Sequence, residues 1–368
     1  MPSTVKVYIH VPFCHAKCAY CDFYSTPRSE LMEAYVDAVG REWEYLQVSA
    51  VPDTIYLGGG TPSSLPLPLL DRLIAHIPVT SPLREFTVEA NPEDITPQWV
   101  SHIVNDTAID RVSMGIQTFD DETLRFIGRR HSGTQAIEAI GMMREGGVTN
   151  MSCDLIYGLP GQTLDAWRAN LDRLIALRPE HISAYLLSYE PRTRLGVMLS
   201  KGKVTEASEE LAEEMYAYLC DATRAAGYEH YEISNFALPG RRAVHNSSYW
   251  NGSEYIGLGP GAHSMAGGRR WYNPSNLKDY IVKGGCDVRV FEEEDENNLF
   301  NDILITSLRT AEGLDPARLP EKFAESFART ASRLTDNGQL AVSPEGRLYI
   351  PEDRWLTSDA ILVELIEV

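Results

Sequence analysis

Apolar and polar positions alternate with a period of two over six short runs in the first half of the chain. These are residues 5–11, 54–57, 85–90, 111–116, 150–156 and 181–187. That period marks strands, whose successive side chains point to opposite faces. Between them, residues 31–47, 67–76, 97–104, 134–145 and 164–177 carry apolar positions at helical spacing. Strands alternating with helices of about ten residues or more predict βαβ units and a parallel sheet. Six such units predict an α/β fold built as a partial barrel. The structural alternative is an open, doubly wound nucleotide-binding sheet.

The two faces of these strands differ. Val5, Val7 and Ile9 share one face of the first strand, and Lys6, Tyr8 and His10 the other. Thr87 and Glu89 oppose Phe86, Val88 and Ala90. Ser113, Gly115 and Gln117 oppose Val112, Met114 and Ile116. Ser152 and Asp154 oppose Met151, Cys153 and Leu155. The greasy face suits helices. A barrel lumen that is only core is filled by bulky aliphatic side chains, and unpaired polar groups there are costly. The inner face therefore reads as built to hold a polar ligand at the C-terminal strand ends.

Further along, residues 206–226 read as one helix and 228–233 as a strand. The stretch 234–285 is rich in Gly, Asn, Pro and aromatics and reads as a long functional surface, not a regular layer. The acidic run 292–296 marks a boundary. Beyond it come three helices and a hairpin, 340–342 with 348–350, around Pro344-Glu345-Gly346. Helices with a small β wing make a winged-helix-like α+β module. The expected division is 1–235 for the barrel with its following helix and strand, 236–295 for the connecting segment, and 296–368 for the small C-terminal domain.

Charge narrows the partners. Thirty-three basic residues stand against fifty-two acidic ones, a net −19. Such a chain is repelled by nucleic-acid phosphates and anionic lipid unless a basic patch outweighs the field. Arg241-Arg242 and Arg269-Arg270 are the densest basic pairs. No nucleic-acid partner is expected, and any peripheral membrane association would run through partner proteins. There is no secretory signal pattern, and no apolar run approaches the ~18 residues of a membrane span. Six cysteines in that setting read as thiols or metal ligands in a cytoplasmic protein.

Three of the six sit together just after the first strand. Cys14, Cys18 and Cys21 have C-x-x-x-C-x-x-C spacing. Three thiolates within eight residues suit three irons of a [4Fe-4S] cluster and leave the fourth iron open to substrate. Zinc is the competitor. Structural zinc wants four ligands, and His15 is a cramped candidate for the fourth. With three cysteines per chain, a cluster shared between two chains, and hence a homodimer, stays open. Cys153, Cys220 and Cys286 read as small core residues.

Tyr8-x-His10-x-Pro12-Phe13-Cys14 leading into that spacing resembles the radical S-adenosylmethionine (SAM) superfamily, in its coproporphyrinogen III oxidase-like branch. Gly58-Gly59-Gly60-Thr61-Pro62 follows the second strand, where the resemblance implies contact with the SAM amino group. Bare glycines also let a ligand approach the backbone, or simply make a tight turn. The resemblance further implies that Glu89, Gln117, Arg129 and Asp154 contact polar atoms of SAM, with Tyr8, Tyr20 and Tyr185 beside them. Glu89, Gln117 and Asp154 fall on the polar inner face already described.

Two members of this branch compete. One is the oxygen-independent coproporphyrinogen III dehydrogenase, which decarboxylates a porphyrinogen propionate. The other is a heme chaperone that keeps the cluster and SAM site, takes heme from donors and delivers it to acceptor hemoproteins. The dehydrogenases carry a fourth cysteine two residues after the third, where this chain has Asp22-Phe23, and a long segment before the first strand. His245-Asn246-Ser247-Ser248-Tyr249-Trp250 resembles the chaperones' heme motif. The expected function is therefore heme carriage, with His245 as axial ligand, Tyr249 and Trp250 against the porphyrin, and Arg241 and Arg242 near its propionates. The segment Gly257-x-Gly259-Pro260-Gly261-Ala262-His263 reads first as a glycine-rich turn and second as a wall of that site. A radical enzyme with an unrelated substrate is the third reading.

Overall fold

A computed structural model describes residues 4–293 and 295–367; Glu294 of the acidic run and the extreme terminal residues of the outer domains lie outside them. Six strands run parallel in chain order: β1 (Thr4–Val11), β2 (Val51–Gly59), β3 (Glu85–Ala90), β4 (Arg111–Gln117), β5 (Met151–Tyr157) and β6 (His181–Leu186). Their crossovers carry α1 (Met32–Leu46), α2 (Leu67–Ala75), α3 (Pro97–Asp106), α4 (Asp121–Ile127), α5 (Gly133–Glu145) and α6 (Leu164–Leu177). The short helix α4 was not in the expected set. Asp120 caps its start through its carboxylate, and Gly128 ends it in the left-handed conformation.

The outward residues form the core. Val7, Ile9, Leu57, Val88, Met114, Cys153 and Leu155 are fully buried under helices whose inner stripes include Tyr35, Val39, Leu70, Ile140 and Trp167. Cys153 is thus the core residue its strand position implies.

The glycine-rich stretch corrects the expectation of an irregular surface. After α7 (Arg194–Ser200) and α8 (Glu209–Ala225), β7 (Glu229–Glu232) and β8 (Asn235–Ala237) add antiparallel strands beyond β6. On the other side, β9 (Tyr255–Leu258) pairs parallel with β1, followed by antiparallel β10 (His263–Ala266), β11 (Arg269–Tyr272) and β12 (Val290–Phe291). One twelve-stranded sheet results, in the order β12-β11-β10-β9-β1-β2-β3-β4-β5-β6-β8-β7. The expected connecting segment therefore supplies β9 to β12 of the barrel sheet, along with α9 (Val244–Trp250) and α10 (Leu277–Lys283). The C-terminal part comprises α11 (Glu296–Ser307), α12 (Ala324–Asp336), the hairpin β13 (Ala341–Val342) with β14 (Leu348–Tyr349), and α13 (Ser358–Val363). Its Phe300, Leu304, Leu334 and Trp355 join the same hydrophobic core as the barrel.

Candidate functional site

The cysteine loop leaves β1 at the C-terminal rim of the barrel. Two backbone bonds clamp its base: the Cys14 N–H donates to Thr26 O and the Thr26 N–H to Pro12 O. Deeper in, the Ala19 N–H bonds Ile127 O at the end of α4. All three cysteines are half-buried free thiols. Cys14 Sγ lies 3.4 Å from Thr61 Oγ1, and Arg129 Nη1 lies 3.7 Å from Cys18 Sγ. Burial pushes the Cys14 thiol up, and the Cys21 thiol up to about 11, so metal loading must release protons.

Among the described residues, Cys220, His230 and Glu352 are the one group of three potential ligands whose donor atoms all lie within 4.8 Å of one another. Cys14, Cys18 and Cys21 do not converge that tightly. That spread fits thiolates seated on separate irons and not three ligands of one zinc ion. The donor set thus suits a [4Fe-4S] cluster.

Arg129 joins this loop to the strand ends. Its Nη2 donates to Asn91 Oδ1 at 2.6 Å and to Gly115 O, while Asn91 Nδ2 donates to Thr61 Oγ1 at 3.1 Å. Asn91 escaped the sequence reading, although it stands two residues beyond Glu89 and so shares its face. Glu89 is itself engaged: Tyr56 OH donates to one carboxylate oxygen at 2.8 Å and the Gly59 N–H to the other at 3.1 Å. Burial raises Glu89 to about 7, opposed by those two donors. Asp154, across the lumen, is also raised by burial, with Ser183, Arg111 and Ser113 holding it down. Gln117 turns inward through a bulge between β4 and β5, at φ 68°. Tyr185 stands 42% exposed at the end of β6. Tyr20 sits beside Arg129 and Cys18. Glu89, Gln117 and Asp154 thus belong to the neighbouring strands β3, β4 and β5, with Arg129 bonded to Gly115 O between them.

The glycines do something different from opening a gap. A Cβ on Gly59, at φ +103°, would meet the His10 ring at 2.4 Å, and one on Gly60 would meet Phe13 O at 2.7 Å. The chain itself fills that space, and the Gly60 and Thr61 N–H groups bond Val11 O and Phe13 O. Their bareness lets the turn close against the cysteine loop, leaving only backbone atoms for a ligand.

Arg111 was also missed. It opens β4, a position that reads as a strand end, yet it is 1% exposed inside the lumen. Its Nε and Nη1 find no hydrogen-bond partner among the described residues.

His245 lies in helix α9 and not on a loop. It is fully buried, with Nδ1 2.8 Å from Thr54 Oγ1 of β2 and Nε2 3.0 Å from the Tyr249 hydroxyl. Its backbone N–H bonds Glu85 of β3. Helix α9 thus packs against the barrel strands instead of presenting a loop histidine, and both imidazole nitrogens are spent. Burial first, then Lys6 and Arg111, lowers this histidine to about 3. Arg242 is committed elsewhere, to Glu229 at 3.0 Å and Glu312 at 2.9 Å.

Tyr249 nonetheless reaches open space. Together with Tyr8, Phe23, Tyr24, Tyr255 and His263 it lines a cleft of about 380 Å³ beside the cysteine loop. That volume falls in the range of small-ligand sites, about 300–1,000 Å³. Trp250 is not among its lining residues.

The radical SAM superfamily model matches residues 8–174. The heme chaperone HemW of Bacillus subtilis is 36% identical, covering 94% of each chain. That of Lactococcus lactis is 34% identical, covering 94% of this chain and 93% of its own. The chain belongs to the HemW family of radical SAM proteins. The structure of the radical SAM enzyme HemN, the coproporphyrinogen III oxidase of Escherichia coli, covers 99% of this chain and 90% of its own at a TM-score of 0.83 and 22% identity, which establishes the shared fold. Membership of the radical SAM superfamily implies a [4Fe-4S] cluster and SAM as cofactors. No helix among the described residues is long and apolar enough to cross a membrane.

Proposed function

We propose that this chain is a heme chaperone: it holds a [4Fe-4S] cluster and SAM at the barrel rim, binds heme, and passes it to acceptor hemoproteins in the cytoplasm. The observation that carries the reading is the near-full-length match to relatives named heme chaperone HemW. Cys14, Cys18 and Cys21 would hold the cluster, with Arg129 against Cys18 and Thr61 against Cys14. Bound there, the cluster offers an open iron to SAM. Glu89, Gln117 and Asp154 would then orient SAM from the lumen. Glu89 fixes the Gly59 turn while doing so, and Arg129 spans rim and loop, so cluster and SAM sites form one assembly.

The test is anaerobic reconstitution followed by two assays on the same protein. Heme uptake and transfer to an apo-hemoprotein, with no turnover of coproporphyrinogen III in the presence of SAM and reductant, supports the carrier. Decarboxylation of coproporphyrinogen III overturns it in favour of the dehydrogenase.

A further inference from the structure

A second group of metal-ligating side chains stands apart from the cysteine loop, where the C-terminal part meets the barrel. We propose that Cys220, His230 and Glu352 are a three-ligand site for a divalent metal of the zinc class, with its fourth position open to water. The metal clamps the C-terminal part onto α8 and β7, independently of the function proposed above.

The three residues come from three elements. Cys220 lies on α8, His230 on β7, and Glu352 opens the 3-10 helix Glu352–Thr357 that precedes α13. His230 Nδ1 lies 3.8 Å from Cys220 Sγ and 3.0 Å from Glu352 Oε1, and the three donor atoms all fall within 4.8 Å of one another. Zinc bonds of about 2.0–2.3 Å in tetrahedral directions hold ligand atoms about 3.3–3.6 Å apart. The two separations to Nδ1 straddle that range, so small side-chain rotations complete the geometry. Thiolate, imidazole and carboxylate together suit zinc; calcium and magnesium take oxygen ligands.

His230 is aimed before any metal arrives. Its ring stacks on Phe236 at 4.1 Å between centroids and meets Trp355 edge-on at 4.4 Å. Its Nε2 lies 3.4 Å from Ile233 O, and a backbone carbonyl is a usual outer partner of a metal-bound imidazole. Nδ1 is thereby left facing the thiol and the carboxylate. Three lone-pair donors turned toward one another need a cation between them. A proton on Nδ1 serves one pair, and a metal serves all three. The His230 side chain is 5% exposed and that of Glu352 37%, so the group is anchored in the fold and open to water on one side. Arg224 is the one competing cation: its Nη2 donates to Glu352 Oε1 at 2.8 Å. It is exposed and also pairs with Asp221 at 3.1 Å, so it has a second partner when a metal takes the carboxylate.

The experiment equilibrates the cluster-reconstituted protein with zinc under anaerobic conditions, removes free metal, counts zinc and iron, and records the zinc K-edge X-ray absorption. One zinc beyond the cluster's irons is expected, with a single sulfur among nitrogen and oxygen neighbours. Cys220→Ala and Glu352→Gln are each expected to weaken zinc binding about tenfold or more in competition with a chromophoric chelator. Arg224→Ala should bind zinc at least as tightly as wild type. Zinc should raise the unfolding temperature of wild type and not that of Glu352→Gln, a near-isosteric change at a half-exposed position. A wild type that retains no zinc, a zinc shell with no sulfur or with two or more, or unchanged affinity in both ligand variants overturns the site.

Discussion

The Nε2 of His245 and the hydroxyl of Tyr249 lie 3.0 Å apart, one turn of α9 from each other. His245 also reaches Thr54 on β2, so it works as a strut between the sheet and a tyrosine that walls the cleft. Its removal disturbs that wall. His245→Ala is therefore expected to weaken heme binding several-fold while the Soret position of the bound heme stays put. Tyr249→Phe, which keeps the ring and loses the bond, should do the same more mildly, at a cost in stability of about 1 kcal/mol. Parallel titrations and urea unfolding of the two variants check this.

The contribution of the same residue to stability should fall on acidification. The folded state lowers His245 to about 3 against an ordinary value of 6.5. A depressed value means that its contribution is fully present above about pH 6.5 and is lost as pH falls, since the unfolded chain takes up a proton that the folded one refuses. From pH 7 to pH 5 this single group removes about 2 kcal/mol. Buried Glu42, Glu89 and Glu232, each raised to about 7, titrate with the opposite sense, so total stability hides the effect. The difference in unfolding free energy between wild type and His245→Gln isolates it, and should narrow by that amount over the same range.

Replacing Cys14, Cys18 or Cys21 with Ser is expected to abolish the visible absorption of the reconstituted cluster. Arg129→Met, which removes the guanidinium beside Cys18, should leave a cluster that forms but loses iron faster in air. Iron and sulfide counts before and after exposure measure both. Retention of four irons in the triple cysteine variant would contradict the site.

Asp154→Ala should weaken SAM binding by about 1–3 kcal/mol, the usual range for a charge-assisted hydrogen bond. Glu89→Gln should also weaken it, because the Gly59 turn loses an anionic acceptor for its N–H. Calorimetry on the reconstituted protein decides. Unchanged affinity in both variants would place SAM elsewhere.

The six parallel strands and their inner polar residues were legible because a period of two separates faces without any tertiary information. The cysteine loop was legible because ligand spacing is local. What escaped has distant causes. Strands β8 to β11 are three or four residues long, too short to show alternation, and pairing settles them: β8 with β6, β9 with β1, and β10 and β11 with their neighbours. Glu42 sits in an amphipathic helix, where a carboxylate normally faces water. It is fully buried because its three donors come from the segment 259–280. His245 read as a loop ligand because sequence cannot show that Thr54 and Tyr249 already occupy both nitrogens. Cys220 read as core, yet it lies 3.8 Å from His230, beside Glu352.

Cys21 is followed at once by Asp22, Phe23 and Tyr24, which line the cleft. The same short loop thus joins a proposed cluster cysteine to one wall of the cleft. On the function proposed above, ordering either end would restrict the other, so occupancy of the two sites would be linked, and linkage is reciprocal. A protein stripped of its iron by oxygen should hold its cargo more loosely, and a protein carrying cargo should resist that stripping.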